Sequence, residues 1–366
     1  MKKNTVDHPL DAGVLLEWYD RGHRDLPWRR DRDPYHVWVS EIMLQQTRVE
    51  AVKPYYARFL NRLPSIGDLA VCPEDDLLKL WEGLGYYSRV RNLQKAAQQI
   101  RDQYGGEMPH SRAVLEKLAG IGSYTASAIA SICFGEVQPA VDGNVLRVYS
   151  RLLADSRCIS DAKVKKAVED EIRPLMPLDR PGDFNQAMME LGACVCLPNG
   201  SPDCMKCPFE KACKAHLEGH ETDFPVKAAK APRVIEERTI LVIRDGEKAA
   251  IRKRPAKGLL AGLYELPSLD GYQDATTVQQ YLDRQGMKVL RVQPLEDAKH
   301  IFSHREWHMK GYLVRVDELE RGTPGPDAAQ WIYIDPEETR ERYPIPSAFE
   351  RYTTALQMKL GRDNLE

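Results

Sequence analysis

The chain has 366 residues, 43% hydrophobic and 29% charged, with a formal net charge of −2. That length implies two or more domains with substantial cores, and the near-neutral balance withholds the global electrostatic footprint of a nucleic-acid-binding protein, so such a reading must rest on local features. No apolar run follows Met1-Lys2-Lys3 at signal-peptide length and no later stretch could span a bilayer, so no membrane association is expected and the default location is cytoplasmic, nucleoid-associated if bacterial.

Residues 1 to about 220 read as almost all helical, with apolar residues at three- and four-residue intervals. The first pattern, Val37 to Leu60, is expected to break near Pro54. Inside it Glu41 has Val37, Trp38 and Leu44 at helical spacing, on an apolar face. A mid-helix Glu is usually solvated; a partly buried one would carry a proton at neutral pH. A second pattern, Leu77 to Ile100, carries the break Gly83-Leu84-Gly85-Tyr86-Tyr87. From Arg112 to Ile132 the order is helix, Gly120-Ile121-Gly122 hairpin, helix. In such a helix-hairpin-helix arrangement the amides around Gly120, Gly122 and Ser123 can converge on a DNA phosphate.

Tyr124 stands where a nucleophilic lysine would form a Schiff base, so a covalent amine mechanism lacks its nucleophile. Next comes Val141-Asp142-Gly143-Asn144. Asp142 precedes a helical run from Val145 to Leu153, so a helix N-cap is its plainer reading. The alternative is chemical: breaking an N-glycosidic bond needs a proton for the departing base and stabilisation of a sugar cation, which Glu41 and Asp142 could divide between them. Lys163 to Arg173 alternates in charge and reads as a solvated helix face.

Cys196, Cys204, Cys207 and Cys213 have the spacing C-x7-C-x2-C-x5-C, enough to hold one [4Fe–4S] cluster or one zinc. A single C-x-x-C knuckle favours iron–sulfur, with Cys194 a weaker substitute for Cys196. Cys72, Cys133 and Cys158 lie among apolar residues and read as small buried side chains. Residues 224–233 have linker composition. Beyond them, Thr239 to Ile243 and Ala249 to Arg252 flank an Asp245-Gly246 hairpin signal, with further strands at Tyr312 to Val316 and Trp331 to Ile334. Helices near Thr276 to Gln285 and Ser347 to Leu360 make this part α+β. His300, His304 and His308 lack carboxylate partners in a suitable pattern and do not read as a metal site.

Together, Leu26-Pro27-Trp28-Arg29, Val37 to Val49, Trp81 to Arg89, Leu118 to Ala126, Val141 to Val145, the four clustered cysteines and Phe302-Ser303-His304 resemble the MutY family of adenine DNA glycosylases, within the endonuclease III helix-hairpin-helix superfamily. The resemblance covers most of the first 215 residues and touches the second domain. It implies a multidomain chain: an all-α helix-hairpin-helix glycosylase domain at 1–223, with the hairpin at about 112–132 and an iron–sulfur loop at 196–213, a linker at 224–235, and a C-terminal α+β Nudix-like domain at 236–366.

The same resemblance implies that Glu41 protonates adenine, that Asp142 stabilises or briefly traps the oxocarbenium ion, that Tyr124 assists and that Asn144 supports Asp142. Trp28, Arg29, Leu44 and Gln186 match positions around the flipped adenine. Gln46 and Tyr86 match residues that fill the stack near the opposing base, with Thr47 and Leu84 beside them. One [4Fe–4S] cluster is implied on Cys196, Cys204, Cys207 and Cys213, although the first gap is seven residues where the family commonly has six. In the second domain, Gly258 to Pro267 resembles the lead into a Nudix catalytic helix. Ala275 to Gly286 then offers only Asp283 for magnesium, so phosphohydrolase activity is not expected. Phe302-Ser303-His304 matches the loop that reads 8-oxoguanine.

The expected protein is a monomeric, monofunctional glycosylase acting on duplex DNA with adenine opposite 8-oxoguanine or guanine. A bifunctional glycosylase/lyase would need an amine at Tyr124, and a non-catalytic lesion-binding module would leave both carboxylates without a role.

Overall fold

The computed structural model describes residues 8–229, 231–246, 248–319 and 324–358. The chain divides into two compact units, Met1–Val71 with Asn92–Lys230, and Cys72–Arg91 with Ala231–Glu366. The segment 72–91, which falls inside the expected helical domain 1–223, therefore groups with the second unit. Within that unit Asp75 accepts from Lys253 at 2.6 Å and from Tyr264 at 3.1 Å, and the buried Glu82 carboxylate accepts the Ile345 amide at 2.7 Å.

The helices run α1 (Ala12–Gly22), α2 (Pro34–Leu44), α3 (Val49–Arg62), α4 (Ile66–Val71), α5 (Glu74–Leu80), α6 (Ser88–Tyr104), α7 (Arg112–Leu115), α8 (Ser123–Phe134), α9 (Gly143–Leu153), α10 (Ala162–Ile172), α11 (Pro181–Cys194) and α12 (Lys214–Leu217). None is long and apolar enough to cross a membrane. Asp33 caps α2 through the amides of Tyr35 and His36, with Pro34 in the first turn where its missing N–H costs nothing. The expected break near Pro54 lies instead at residues 45–48, where Gln46 takes a left-handed φ of 59°. Pro54 sits inside α3, where it removes one ladder bond without ending the helix. The break between α5 and α6 falls where expected, with Gly83, Gly85 and Tyr86 all at positive φ.

α8 is buried from Thr125 to Ile132 and packs against α2, α7 and α11. Two glycines let α11 approach its neighbours at backbone distance. A Cβ on Gly182 would lie 2.6 Å from Ile132 Cα of α8, and one on Gly192 would lie 2.6 Å from Asn144 Cβ of α9. Leu15, Tyr149, Leu152, Phe184, Met188 and Leu191 fill the core between α1, α9 and α11. α10 is more than a solvated face: Val168 and Ile172 are buried, and the buried Glu169 accepts from Arg112 at 3.3 Å. Cys72, Cys133 and Cys158 are half-buried rather than enclosed. The start of the linker is tied to the helical unit, since Val226 C=O accepts the Ile159 amide at 2.9 Å and Ser160 Oγ accepts the Ala228 amide at 3.2 Å.

The second unit contains β1 (Val234–Arg244), β2 (Ala249–Lys253), β3 (Tyr264–Glu265), β4 (Ser268–Asp270), α13 (Ala275–Arg284), β5 (Val289–Ile301), β6 (Arg305–Val316), β7 (Trp331–Ile334) and α14 (Glu350–Thr353). Among the described residues the sheet order is β3-β2-β1-β6-β5, with β4 also on β1 and β7 on β2. β1 and β6 pair in parallel, Val234 opposite Arg305 through Arg244 opposite Arg315. Alternate residues of β1 bury on opposite faces, Ile240 and Val242 towards the C-terminal turns, Leu241 and Ile243 towards α13. The helix expected from Ser347 to Leu360 is a series of short turns around α14, its last two residues lying outside the described ones. β3, β4, β5 and the first halves of β1 and β6 had no clear sequence signal.

Candidate active site

A cavity of about 580 Å³ opens in the helical unit, within the range of small-ligand sites. It gathers Glu41, Leu44, Gln46 and Thr47 from the end of α2 and the following turn, Trp28 and Arg29 from the short turn after α1, Tyr124 from α8, Asp142 and Asn144 at the start of α9, and Gln186 from α11. Those ten expected residues thus share one cavity.

Glu41 is 7% exposed. Burial pushes its carboxyl up to about 7; the charge of Asp142 adds to the rise, while the Tyr124 hydrogen bond and Arg29 oppose it. Tyr124 Oη donates to Glu41 Oε2 at 2.6 Å and also reaches Met189 Sδ at 3.0 Å. Burial drives the Tyr124 hydroxyl well above its usual range, so it stays a donor.

Asp142 is the N-cap of α9 and a cavity residue at once. Its Oδ1 accepts the amides of Asn144 at 2.9 Å and Val145 at 2.8 Å, and its Oδ2 accepts from Asn144 Nδ2 at 2.8 Å. Burial raises this carboxyl, and the cap hydrogen bonds and Arg147 work against the rise. The helix dipole likewise favours its anion. Arg147 donates to Asn144 Oδ1 at 2.8 Å and to the carbonyls of Gly192 and Cys196, each at 2.8 Å.

On α11, Gln186 Oε1 accepts from Tyr19 at 3.2 Å. One turn on, the buried Glu190 binds Arg24 and Arg29. Sequence reasoning missed Glu190, Met189 and Arg147. Each is three or four residues from an expected site residue on its own helix, and that spacing was the available signal.

At the hairpin, Gly120 has a φ of 72° and a Cβ there would lie 2.5 Å from Asn92 Cβ, so the turn requires glycine. Gly122 leads into α8 without a side-chain cap, and Ser123 is its first residue. Lys165 and Lys166 of α10 flank the groove beside them. Cys196, Cys204, Cys207 and Cys213 line one small cavity with Arg151, which donates to Cys196 Sγ at 3.3 Å.

The remaining expected residues lie in the second unit. Phe302, Ser303 and His304 form the turn between β5 and β6, closed by the Phe302 amide on Arg305 C=O at 2.9 Å. Ser303 Oγ and Tyr86 Oη are 3.0 Å apart. Tyr86 is half-exposed and left-handed, whereas Leu84 is buried.

A helix-hairpin-helix unit with two unlike carboxyls in one cavity, Glu41 buried and Asp142 half-buried, followed in the chain by a Nudix unit, defines a DNA N-glycosylase of base excision repair. Residues 39–174 match the HhH-GPD superfamily base excision DNA repair protein, and residues 239–355 match the NUDIX domain. The chain is 36% identical to the adenine DNA glycosylase of Mus musculus, over 87% of this chain and 73% of that one. To that of Buchnera aphidicola subsp. Acyrthosiphon pisum it is 33% identical, over 83% and 86%. A solved thermostable thymine-DNA glycosylase superposes with a TM-score of 0.51 at 29% identity, covering 57% of this chain and 95% of its own. The chain belongs to the adenine DNA glycosylase family.

Proposed function

We propose that this adenine DNA glycosylase acts on adenine opposite 8-oxoguanine or guanine in duplex DNA, as a monofunctional, monomeric, cytoplasmic enzyme with Glu41 as general acid. The observation that carries the reading is the Glu41 carboxyl, buried, raised to about 7 and bonded to Tyr124 in the cavity that also holds Asp142. A flipped adenine enters among Trp28, Arg29, Leu44 and Gln186. Protonated Glu41 gives its proton to the base, the N-glycosidic bond breaks, and its electron pair leaves with adenine. Asp142, held by Asn144, stabilises the oxocarbenium ion or closes on it covalently. Water then attacks the sugar carbon and returns a proton to Glu41. General acid catalysis of this kind contributes about 10²–10⁴-fold.

No amine stands at Tyr124 to form a Schiff base, which supports monofunctional chemistry. The Gly120 to Ser123 turn offers its amides to a backbone phosphate, with Lys165 and Lys166 alongside. Gln46, Thr47, Leu84 and Tyr86 serve the stack around the opposing base, and Phe302, Ser303 and His304 read 8-oxoguanine. The contact between Ser303 and Tyr86 supports that assignment by joining two of the residues concerned.

Cys196, Cys204, Cys207 and Cys213 would hold one [4Fe–4S] cluster. The donor set fits: all four line one cavity, and burial raises Cys204 to about 11 and Cys207 to about 12, each further raised by neighbouring sulfurs. Bound iron would supply the positive charge that keeps such thiols ionised.

The test is a single-turnover assay on a duplex labelled in the adenine strand opposite 8-oxoguanine, each aliquot split between alkali and none. Strand cleavage only after alkali is expected. Cleavage without alkali would overturn the monofunctional reading, and none in either arm would overturn the substrate.

A further inference from the structure

The acid lies close to a cation that works against it. Arg29 lines the same cavity as Glu41, and its charge favours the ionised carboxylate, the form that cannot donate a proton. The charged and titratable groups around Glu41 are Arg24 and Arg29 after α1, Tyr124 and Cys133 of α8, Asp142 and Arg147 about α9, and Glu190 of α11. Arg147 is taken up by Asn144 and backbone carbonyls. Arg29 is held differently.

Its Nη2 donates to Glu190 Oε2 at 2.9 Å, its Nη1 to Arg24 C=O at 3.3 Å, and its guanidinium lies 5.7 Å from the Tyr19 ring centroid. Glu190 also accepts from Arg24 Nε at 2.7 Å, Arg24 Nη2 at 2.8 Å and the Arg24 amide at 3.1 Å. Its side chain is 3% exposed, and Cys194 Sγ is 3.5 Å away. The fork-on-fork pair is Arg24 on Glu190, which fixes the carboxylate's direction, and Arg29 shares the Oε2 so placed through one hydrogen bond.

We propose that Glu190 is a positioning residue that aims Arg29 at the base site and offsets its charge, so that Glu41 keeps the proton it must donate. This rests on the reading of Glu41 as general acid. Burial alone would raise Glu190, but the Arg24 hydrogen bond and the charges of Arg29 and Arg24 outweigh it and hold the carboxyl at about 2. It is therefore an anion at every pH where base release is measured. A neutral residue there would leave Arg29 uncompensated in a cavity of low dielectric.

The experiment is the pH profile of single-turnover adenine release. In the native protein the rate is expected to fall as pH rises through the Glu41 titration. Glu190→Gln is expected to move that midpoint down by about one unit, lowering the rate above neutrality about tenfold while sparing the acidic plateau better. Glu190→Asp, which keeps the charge, should leave the midpoint in place even if the plateau drops. A structural ion pair alone would lower the whole profile without moving its midpoint, and that result in Glu190→Gln would overturn the proposal. Should that variant not fold, Arg29→Met gives the second test, since Glu190 stays paired with Arg24. The midpoint is then expected to rise, and an unchanged one would leave Glu190 nothing to offset. If the native profile has no limb assignable to Glu41, the acid assignment itself fails, separately from the role of Glu190.

Discussion

Tyr124 donates its hydroxyl to Glu41 Oε2 across 2.6 Å, from the helix that follows the hairpin to the end of α2. This bond favours the ionised carboxylate, opposing the burial that raises it. Tyr124→Phe should therefore raise the Glu41 carboxyl further. Because release needs the protonated acid, the alkaline limb of the rate profile should shift to higher pH, with a modest loss in the plateau. Single-turnover rates between pH 5 and 9 decide it; a limb that stays in place would mean the bond does not persist once DNA is bound.

The same carboxyl should be a liability for folding. Its value rises from an ordinary 4.5 to about 7 in the folded chain, so between those values the folded state binds more protons than the unfolded state and stability falls with rising pH. Glu41→Gln removes the titration. The variant should match the native protein near pH 4.5 and exceed it at pH 8 by up to about 3 kcal/mol, while base release nearly vanishes. Urea unfolding at the two pH values checks the first part, and a pH-independent difference would contradict it.

Gly192→Ala should cost both stability and rate. A Cβ at this position meets Asn144 Cβ at 2.6 Å and Asn144 Cα at 3.1 Å, so α9 and α11 must separate. Overpacking of this kind costs about 1–3 kcal/mol. Asn144 supports Asp142 at 2.8 Å, and the rate should fall about tenfold or more because displacement at a reacting group is costly. A lowered melting temperature with an unchanged rate would remove Asn144 from its assigned role.

Ser303→Ala combined with His304→Ala should leave release opposite guanine nearly unchanged and lower the preference for 8-oxoguanine about tenfold, roughly the worth of one hydrogen bond. Rates on the two duplexes under identical salt provide the ratio.

A chelator that strips zinc should leave the protein folded and coloured. Cys207→Ser should lose visible absorbance and lower the melting temperature of the helical unit. Release of zinc on chelation, with loss of structure, would replace the iron–sulfur assignment.

Glu41, Asp142 and Tyr124 could be singled out from residue type and motif context, and the structure brings them to one cavity; that convergence was not legible, since the three lie far apart in the chain. Glu190 was not singled out, because one acid in a helical stretch reads as solvated until α11 is packed beside Arg24 and Arg29. β5 was hidden for a related reason: Val289–Ile301 has no steady alternation, and its pairing with β6 includes register shifts. The break at Gln46 escaped notice because a left-handed glutamine leaves no compositional mark, whereas Pro54 leaves a conspicuous one that a helix can absorb. The boundary at Cys72–Arg91 depends on tertiary partners such as Lys253 and Ile345, distant in sequence.

α11 meets α8 at Gly182 and α9 at Gly192, and both approaches are backbone-close. Gln186, Met189 and Glu190 project between these two fixed points. The helix therefore acts as a gauge that sets the cavity's width, one that cannot be opened or narrowed by small adjustments, because any side chain at either glycine forces the helices apart. Variation in which base is accepted would have to come from the groups carried between the stops, with the distance between walls left constant.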